Sequence, residues 1–373
     1  MQLLIAIFIA IIIYLAQMKL YAKYWNKNLS VKVEYSTTDT RIGENVCLIE
    51  TIENAKALPL PVLNVKFSSS KTFLYEDMDN TTLSDHYYRN DIFSVAGNQQ
   101  VVRKLSFTTT QRGCFIIRNI DLVATDIFMK RHLAAMYENH GVLYVYPKLI
   151  QTKEFIELTS SIIGKTKQTD LFEDPFAFKG IREYTATDSM NQINWKASAK
   201  ANHLMVNTHF DNQNARVVLL FNIDTHVTQR SYRLAETCIS MAATLLFHFN
   251  KAGLSYKMAV NAKEPTTDKL LISDFGKGEE HYKNLLRTLC RLDLKKEPED
   301  FLSFFHTQAN QFSQKNENTT YVILSNYRKP LLTDIYGIKQ KEGYHMHFIC
   351  PERKECMTIA PYVTYVEVNP DAL

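Results

Sequence analysis

The sequence predicts a multidomain chain with an N-terminal transmembrane helix, an all-β sandwich and then a doubly wound α/β domain. Three observations predict it. Met1 to Met18 carries no charged side chain. From Leu29 to Tyr146 short runs alternate polar and apolar residues, the period of strands with one buried face. Beyond Arg216, continuous apolar runs alternate with stripes at helical spacing, which is the pattern of a mostly parallel sheet wrapped by helices. At 373 residues the chain exceeds what one hydrophobic core usually spans. The expected boundaries are 1–27 for the anchor and its basic flank, 28–147 for the sandwich, 148–173 for a linker, 174–210 for a distinctive motif segment and 211–373 for the α/β domain.

Composition narrows the function classes. Hydrophobic residues at 46% and charged residues at 22% exclude a disordered chain and a polytopic membrane protein. The formal net charge of +4 is small and evenly spread, which argues against nucleic acid as a partner. The six cysteines, Cys47, Cys114, Cys238, Cys290, Cys350 and Cys356, form no CxxC pair, and most sit in apolar runs. That usage fits a reducing compartment. Three N-x-[ST] triplets begin at Asn28, Asn80 and Asn318 and would matter only in a secreted chain.

The run LLIAIFIAIIIYLA is long enough to cross a bilayer if Tyr21, Tyr24 and Trp25 lie at the headgroups. No basic region precedes it and no A-x-A-like site follows, so an uncleaved anchor is preferred to a signal peptide. Lys19, Lys23 and Lys27 follow the run, and the positive-inside rule then places the folded domains in the cytoplasm at the cell membrane.

Strands are expected over Ser30 to Tyr35, Asn45 to Ile52, Val62 to Phe67, Gln100 to Thr108, Cys114 to Val123 and Val142 to Tyr146, with Gly43, Pro59, Pro61, Gly97 and Gly113 as punctuation. Ser68 to Asn98 reads as a polar loop or edge hairpin. The one helical candidate in this region lies near His132 to Glu138. Arg112-Gly113 and Asp126-Ile127-Phe128 admit a binding reading, but turn geometry and solvated charge explain them more cheaply. Residues 147–173 lose periodicity and read as a connector.

In the second half, Arg216 to Asp224 and Tyr321 to Ser325 read as strands buried on both faces. Ser231 to Lys251 reads as a helix with Gly253 just past its end. A strand at Tyr256 to Asn261, helices around Tyr282 to Leu289, Leu302 to Phe312 and Leu332 to Gln340, and strands at Tyr344 to Ile349 and Val363 to Val368 complete the domain. Ligands of such sheets bind beyond the carboxyl ends of the strands. There Asp224-Thr225-His226-Val227-Thr228 resembles the D-x-S-x-S start of a von Willebrand factor A domain, whose oxygens hold a divalent cation. His226 replaces the first hydroxyl and Asn326 stands where a second aspartate is common, so the candidate site of Asp224 and Thr228 is degenerate. The expectation is no metal and no cofactor. His345, His347, Cys350 and Cys356 form a second candidate metal cluster, but a continuous strand turns the histidines away from Cys350. No GxGxxG, GxxxxGK[ST], HExxH or GxSxG occurs in a fitting context, and no catalytic residue is identified.

The segment from Asp174 to Asn207 mixes charged, aromatic and amide residues. Gly180, Arg182, Glu183, Tyr184, Asp188, Asn191, Ile193, Asn194, Trp195 and Lys196 within it resemble the signature G-[IV]-R-[ED]-Y-x-x-G-D-x-x-[RN]-x-I-[ND]-W of the domain-of-unknown-function family fifty-eight, with Thr187 at the family's glycine. RIGENV and TTTQRG in the sandwich extend the likeness. The resemblance implies a bacterial, membrane-anchored protein with a von Willebrand factor A-like domain. It further implies a non-enzymatic adaptor or chaperone-like role beside a MoxR-type AAA+ ATPase. A cation-dependent adhesive protein is the alternative. Physically the motif is either a clasp, with Tyr184 and Trp195 buried against the α/β sheet edge and Arg182 or Lys196 paired with Glu183 or Asp188, or a surface for a partner.

Overall fold

A computed structural model of the chain describes residues 2–76, 81–83, 87–168, 178–185, 190, 193–209, 215–223, 229–264, 268–301, 303–305, 319–325, 345–351 and 363–365. They fall into two compact units, Met1–Pro147 and Lys148–Leu373.

The first unit begins with helix α1 (Gln2–Tyr24), one apolar helix long enough to cross a membrane. Strands β1 (Leu29–Tyr35), β2 (Asp39–Arg41), β3 (Asn45–Asn54), β4 (Leu60–Ser69), β5 (Phe73–Tyr75), β6 (Thr81–Leu83), β7 (Tyr87–Val95), β8 (Gln99–Thr109), β9 (Gly113–Thr125) and β10 (His132–Tyr146) follow. They form a four-stranded sheet, β1-β3-β8-β5, and a six-stranded sheet, β2-β10-β9-β4-β7-β6. All pairs are antiparallel except β2 with β10. Alternation puts Val31, Val33, Leu48 and Ile52 of one sheet and Leu63, Val65, Ile120, Leu122 and Leu143 of the other into one core. Phe73 stacks on Phe107 at 4.5 Å within it.

Asn139 fastens β10 to β1. Its amide donates to the carbonyls of Val33 (2.8 Å) and Ile117 (2.9 Å), and its oxygen accepts from the Val33 backbone at 3.2 Å. The β9–β10 register shifts between Glu138 and Gly141, and a Cβ on Gly141 would meet the Val33 carbonyl oxygen at 2.7 Å, so only glycine fits beside this fastening.

Two expectations for this unit are corrected and one is narrowed. His132 to Glu138 is strand, because its alternate side chains pair across β9. For residues 68–98 the edge hairpin holds over the loop: β6 and β7 pair antiparallel at the edge of the six-stranded sheet, β7 also pairs with β4 along its length, and β5 joins the other sheet. Tyr21 and Trp25 are not headgroup residues but members of the sandwich core, Tyr21 also donating its hydroxyl to the Pro59 carbonyl at 2.7 Å; Tyr24 alone of the three is exposed.

The second unit opens with a helix where a linker is expected, α2 (Lys153–Gln168). Phe155, Thr159, Ile162 and Thr166, at spacings of four, three and four, form its buried face, and Thr166 donates to Thr320 at 3.0 Å. Its polar residues lie on the outside, which is why the stretch reads as loop when only polarity is counted. Next come β11 (Phe178–Glu183), α3 (Trp195–Ala201), β12 (Met205–His209), β13 (Arg216–Asn222), α4 (Gln229–Lys251), β14 (Ser255–Lys263), β15 (Leu270–Ile272), α5 (Glu279–Arg291), β16 (Thr319–Ser325), β17 (His345–Cys350) and β18 (Val363–Tyr365). The last six strands form one sheet, β15-β14-β13-β16-β17-β18, parallel apart from β15. Burial on both faces makes β13 and β16 continuous apolar runs. Val218, Leu220, Ile323 and Phe348 pack on Phe301, Phe304 and Phe305. The helix expected over Leu332 to Gln340 lies outside the described residues.

Candidate functional site

The motif folds on itself. β11 and β12 pair antiparallel as a separate two-stranded sheet, with Gly180 opposite Thr208 and Arg182 opposite Val206, rather than joining an edge of the six-stranded sheet. Residues between the strands return as α3, and the isolated bridge between Ile193 and Val206 buries both. Asn194 is the hinge of this arrangement. Its backbone N–H donates to the Met205 carbonyl at 2.8 Å, its side-chain oxygen caps α3 by accepting from the Ala197 backbone at 2.9 Å, and its amide donates to Asn207 at 2.7 Å. Ser198 adds a second tie, donating to the Asn194 carbonyl at 2.8 Å and accepting from the Met205 backbone at 2.9 Å. Asn202, in the left-handed region at φ 60°, ends the helix.

This frame leaves the motif's large side chains outside. Trp195, the first residue of α3, is 68% exposed, and Met190, Ile181 and Leu204 are exposed with it. The expectation of a buried Trp195 is therefore corrected: Asn194 must cap the helix, and the residue after the cap is turned away from the hairpin that the cap holds. Tyr184 is half-buried and its backbone N–H donates to Leu204 at 2.9 Å. Arg182 donates to the Glu183 carbonyl at 3.0 Å, and the Glu183 carboxylate meets His203 at 3.3 Å, all three side chains being exposed. Lys196 is exposed as well. Asp188 and Asn191 lie outside the described residues. The clasp is thus built by Ile193, Asn194 and Ser198, while Trp195, Arg182 and Lys196 face solvent.

The carboxyl ends of the parallel strands hold a different arrangement. Asn222 ends β13, Ser325 ends β16 and Asn261 lies near the end of β14, and all three are buried. Asn222 donates to Ser325 at 2.8 Å and accepts from Asn261 at 3.0 Å. Asn261 also accepts from the Ile223 backbone at 2.8 Å and donates to the carbonyls of Ile223 and Glu299 at 3.1 and 2.9 Å. The network ties three strands and the loop around Glu299 at the point where strand order reverses. Sequence reasoning missed it, although each residue is a small polar side chain closing an apolar run. Asp224 and Thr228 lie outside the described residues.

Among the described residues no group of three or more His, Cys, Asp or Glu side chains could hold a metal. In β17, His345 is exposed, His347 half-buried and Cys350 buried, with Cys350 of opposite parity to the histidines. Burial first, then Lys165 and His345, push His347 down to about 4, so it is neutral near pH 7. Cys356 lies outside the described residues.

What these features define is a parallel α/β unit carrying a self-braced hairpin that displays an aromatic side chain among cations. Residues 180–327 match the model of a family described as Protein of unknown function DUF58. No curated protein matches the chain. Among solved structures, the CARDB domain of a Pyrococcus furiosus protein in complex with di-metal ions is 13% identical, over 32% of this chain and 94% of that one, with a TM-score of 0.20. A non-cellulosomal cohesin from Archaeoglobus fulgidus is 13% identical over 35% and 97%, at 0.22. The third cohesin ScaC from Acetivibrio cellulolyticus, in complex with the ScaB dockerin, is 12% identical over 31% and 99%, at 0.23.

Proposed function

We propose that this chain is a non-enzymatic adaptor, anchored in the cell membrane by α1 with its folded units in the cytoplasm, that works with a MoxR-type AAA+ ATPase in assembling or activating protein complexes. One observation carries the reading of a partner surface: Trp195 stands exposed on a frame rigidified by Asn194 and Ser198. Tryptophan and arginine are the residues most enriched among interface hot spots, and a rigid platform lowers the cost of ordering them. Lys196, Lys200 and Arg182 on the same unit suit a partner with an acidic patch. The match over residues 180–327 and the motif support the family resemblance, from which the ATPase partner comes. The strand order, with antiparallel β15 beside β14, supports a von Willebrand factor A-like reading of the sheet. Lys19, Lys23 and Lys27 after the apolar run support the cytoplasmic orientation.

A photo-crosslinking residue at position 195 of the full chain, in native membranes, should capture an AAA+ ATPase. With that ATPase purified, Trp195→Ala combined with Lys196→Glu should weaken binding at least about tenfold, or ~1.4 kcal/mol. Unchanged affinity, or an ATPase that never crosslinks, defeats the proposal.

A further inference from the structure

We infer that the turn between β9 and β10, residues 126–131, is a second membrane contact that dips beside α1 into the lipid of the same bilayer. This rests on the anchor reading above. The turn is tight and fixed to the helix. Asp126 is fully buried; its carboxylate accepts from the Gln17 side chain at 2.9 Å on one oxygen and from the backbone of Lys130 (2.8 Å) and Arg131 (3.3 Å) on the other. The Met129 backbone donates to the Asp126 carbonyl at 2.9 Å, with Met129 in the left-handed region at φ 55°. Asp126 is thus not the solvated charge its sequence context suggests.

What the turn presents is apolar. Ile127, Phe128 and Met129 are 51%, 49% and 64% exposed, three large hydrophobic side chains in succession at a hairpin tip. A lone exposed apolar residue is ordinary, but a contiguous patch calls for a covering surface. The cover is indicated by what adjoins it. The Phe128 ring lies 5.7 Å from that of Tyr14, inside the uncharged run of α1 whose Ile7, Phe8, Ile11, Ile12 and Leu15 are also exposed. Tyr14 precedes Lys19, the first charge, by five residues, or about 7.5 Å along the helix at ~1.5 Å per residue. Phe128 therefore sits at a depth within the ~5–10 Å to which interfacial side chains enter the headgroup and acyl boundary. Lys130 and Arg131 follow the tip, exposed, and join Lys19, Lys23 and Lys27 as cations for anionic headgroups.

The test uses the full chain in vesicles of phosphatidylcholine and phosphatidylglycerol. Phe128→Trp, or Met129→Trp if the first does not fold, is compared with Leu74→Trp, an equally exposed site on β5, which pairs with the Thr109 end of β8. Difference spectra against the parent isolate the new indole. The expected result is at least twofold quenching of the indole at the turn by brominated acyl chains with little quenching by aqueous iodide, and the reverse at position 74. An indole at the turn that iodide reaches and lipid does not quench overturns the inference. So does one shielded from both quenchers, the outcome expected if a second copy of the chain covers the tip. Alkaline extraction of the same vesicles separates the two readings. A chain that stays in the bilayer with an aqueous indole at the turn removes only the second contact, whereas a chain released from it removes the anchor as well.

Discussion

The two folded units bury polar groups in opposite ways. Inside the sandwich, Asp91 of β7 accepts from Arg89 at 3.1 Å and from Arg103 of β8 at 3.0 Å, tying the two sheets together through charge. Arg89 also lies over the Tyr75 ring at 4.8 Å. Glu50 of β3, directly opposite Arg103, is fully buried, and among the described residues neither of its oxygens has a hydrogen-bond donor. Burial first, and the charge of Asp91 second, push its carboxyl well above the usual range, against the opposing pull of Arg103 and Arg89; protonated, it can turn its O–H toward Asp91. In the α/β unit the comparable buried cluster, Asn222, Asn261 and Ser325, is neutral and hydrogen-bonded. Charge makes the first cluster costly to break and sensitive to pH, while the amide network is cheaper to disturb and indifferent to protons.

The largest expected effect is on the charged side. Asp91→Ala takes a carboxylate away from the buried Arg89 and from Arg103 and should cost about 3–5 kcal/mol in denaturant unfolding of the first unit. A loss below about 1 kcal/mol would mean the cluster is hydrated and the contrast false. Asn261→Ala strips partners from Asn222, the Ile223 backbone and the Glu299 carbonyl, and should cost about 2–3 kcal/mol, the same at pH 5 and pH 8.

The pH responses should also oppose each other. Glu50 is raised in the folded state above its unfolded value near ~4.3, so the folded chain holds an extra proton above that pH. Its contribution is therefore greatest in acid and declines as pH rises from there, with a slope of at most ~1.4 kcal/mol per pH unit. Glu50→Gln should flatten that decline. His347 is lowered to about 4 against ~6.5 unfolded, so its contribution is complete above ~6.5 and lost on acidification toward 4. His347→Gln should remove that loss. Unfolding curves for each unit from pH 4 to pH 8 check both signs, and parallel curves would sink the comparison. The smallest effect belongs to Trp195→Ala, expected within about 0.5 kcal/mol of wild type because its ring is solvent-facing. A larger loss would return it to the clasp.

Much of the layout is legible without coordinates. Period-two alternation marks most of the sandwich strands, and continuous apolar runs mark β13 and β16, because a strand's faces report their own burial. The run of α1 is legible for a different reason, its unbroken apolar composition. Helix α2 escaped because four buried residues among polar ones give a weak stripe. The stretch holding β7 reads equally as loop or as edge hairpin because β7 carries the buried Arg89 and Asp91, which read as exposed until their partners on other strands are known. At the motif, composition singled out the right segment, yet aromatic residues amid charges do not say which ring is buried. That depended on Asn194, whose capping geometry fixes where Trp195 points.

The periodicities, the uncharged N-terminal run, the order of β-rich and α/β regions and the identity of the motif were all decided by the order of residues, since each is a property of neighbours along the chain. Folding in three dimensions was needed to decide that Tyr21 and Trp25 belong to a core, that Asp126 meets Gln17, that Glu50 faces Asp91 and that Asn222, Asn261 and Ser325 converge. Those are pairings between residues tens of positions apart, and their energies depend on burial and distance, which no local pattern encodes.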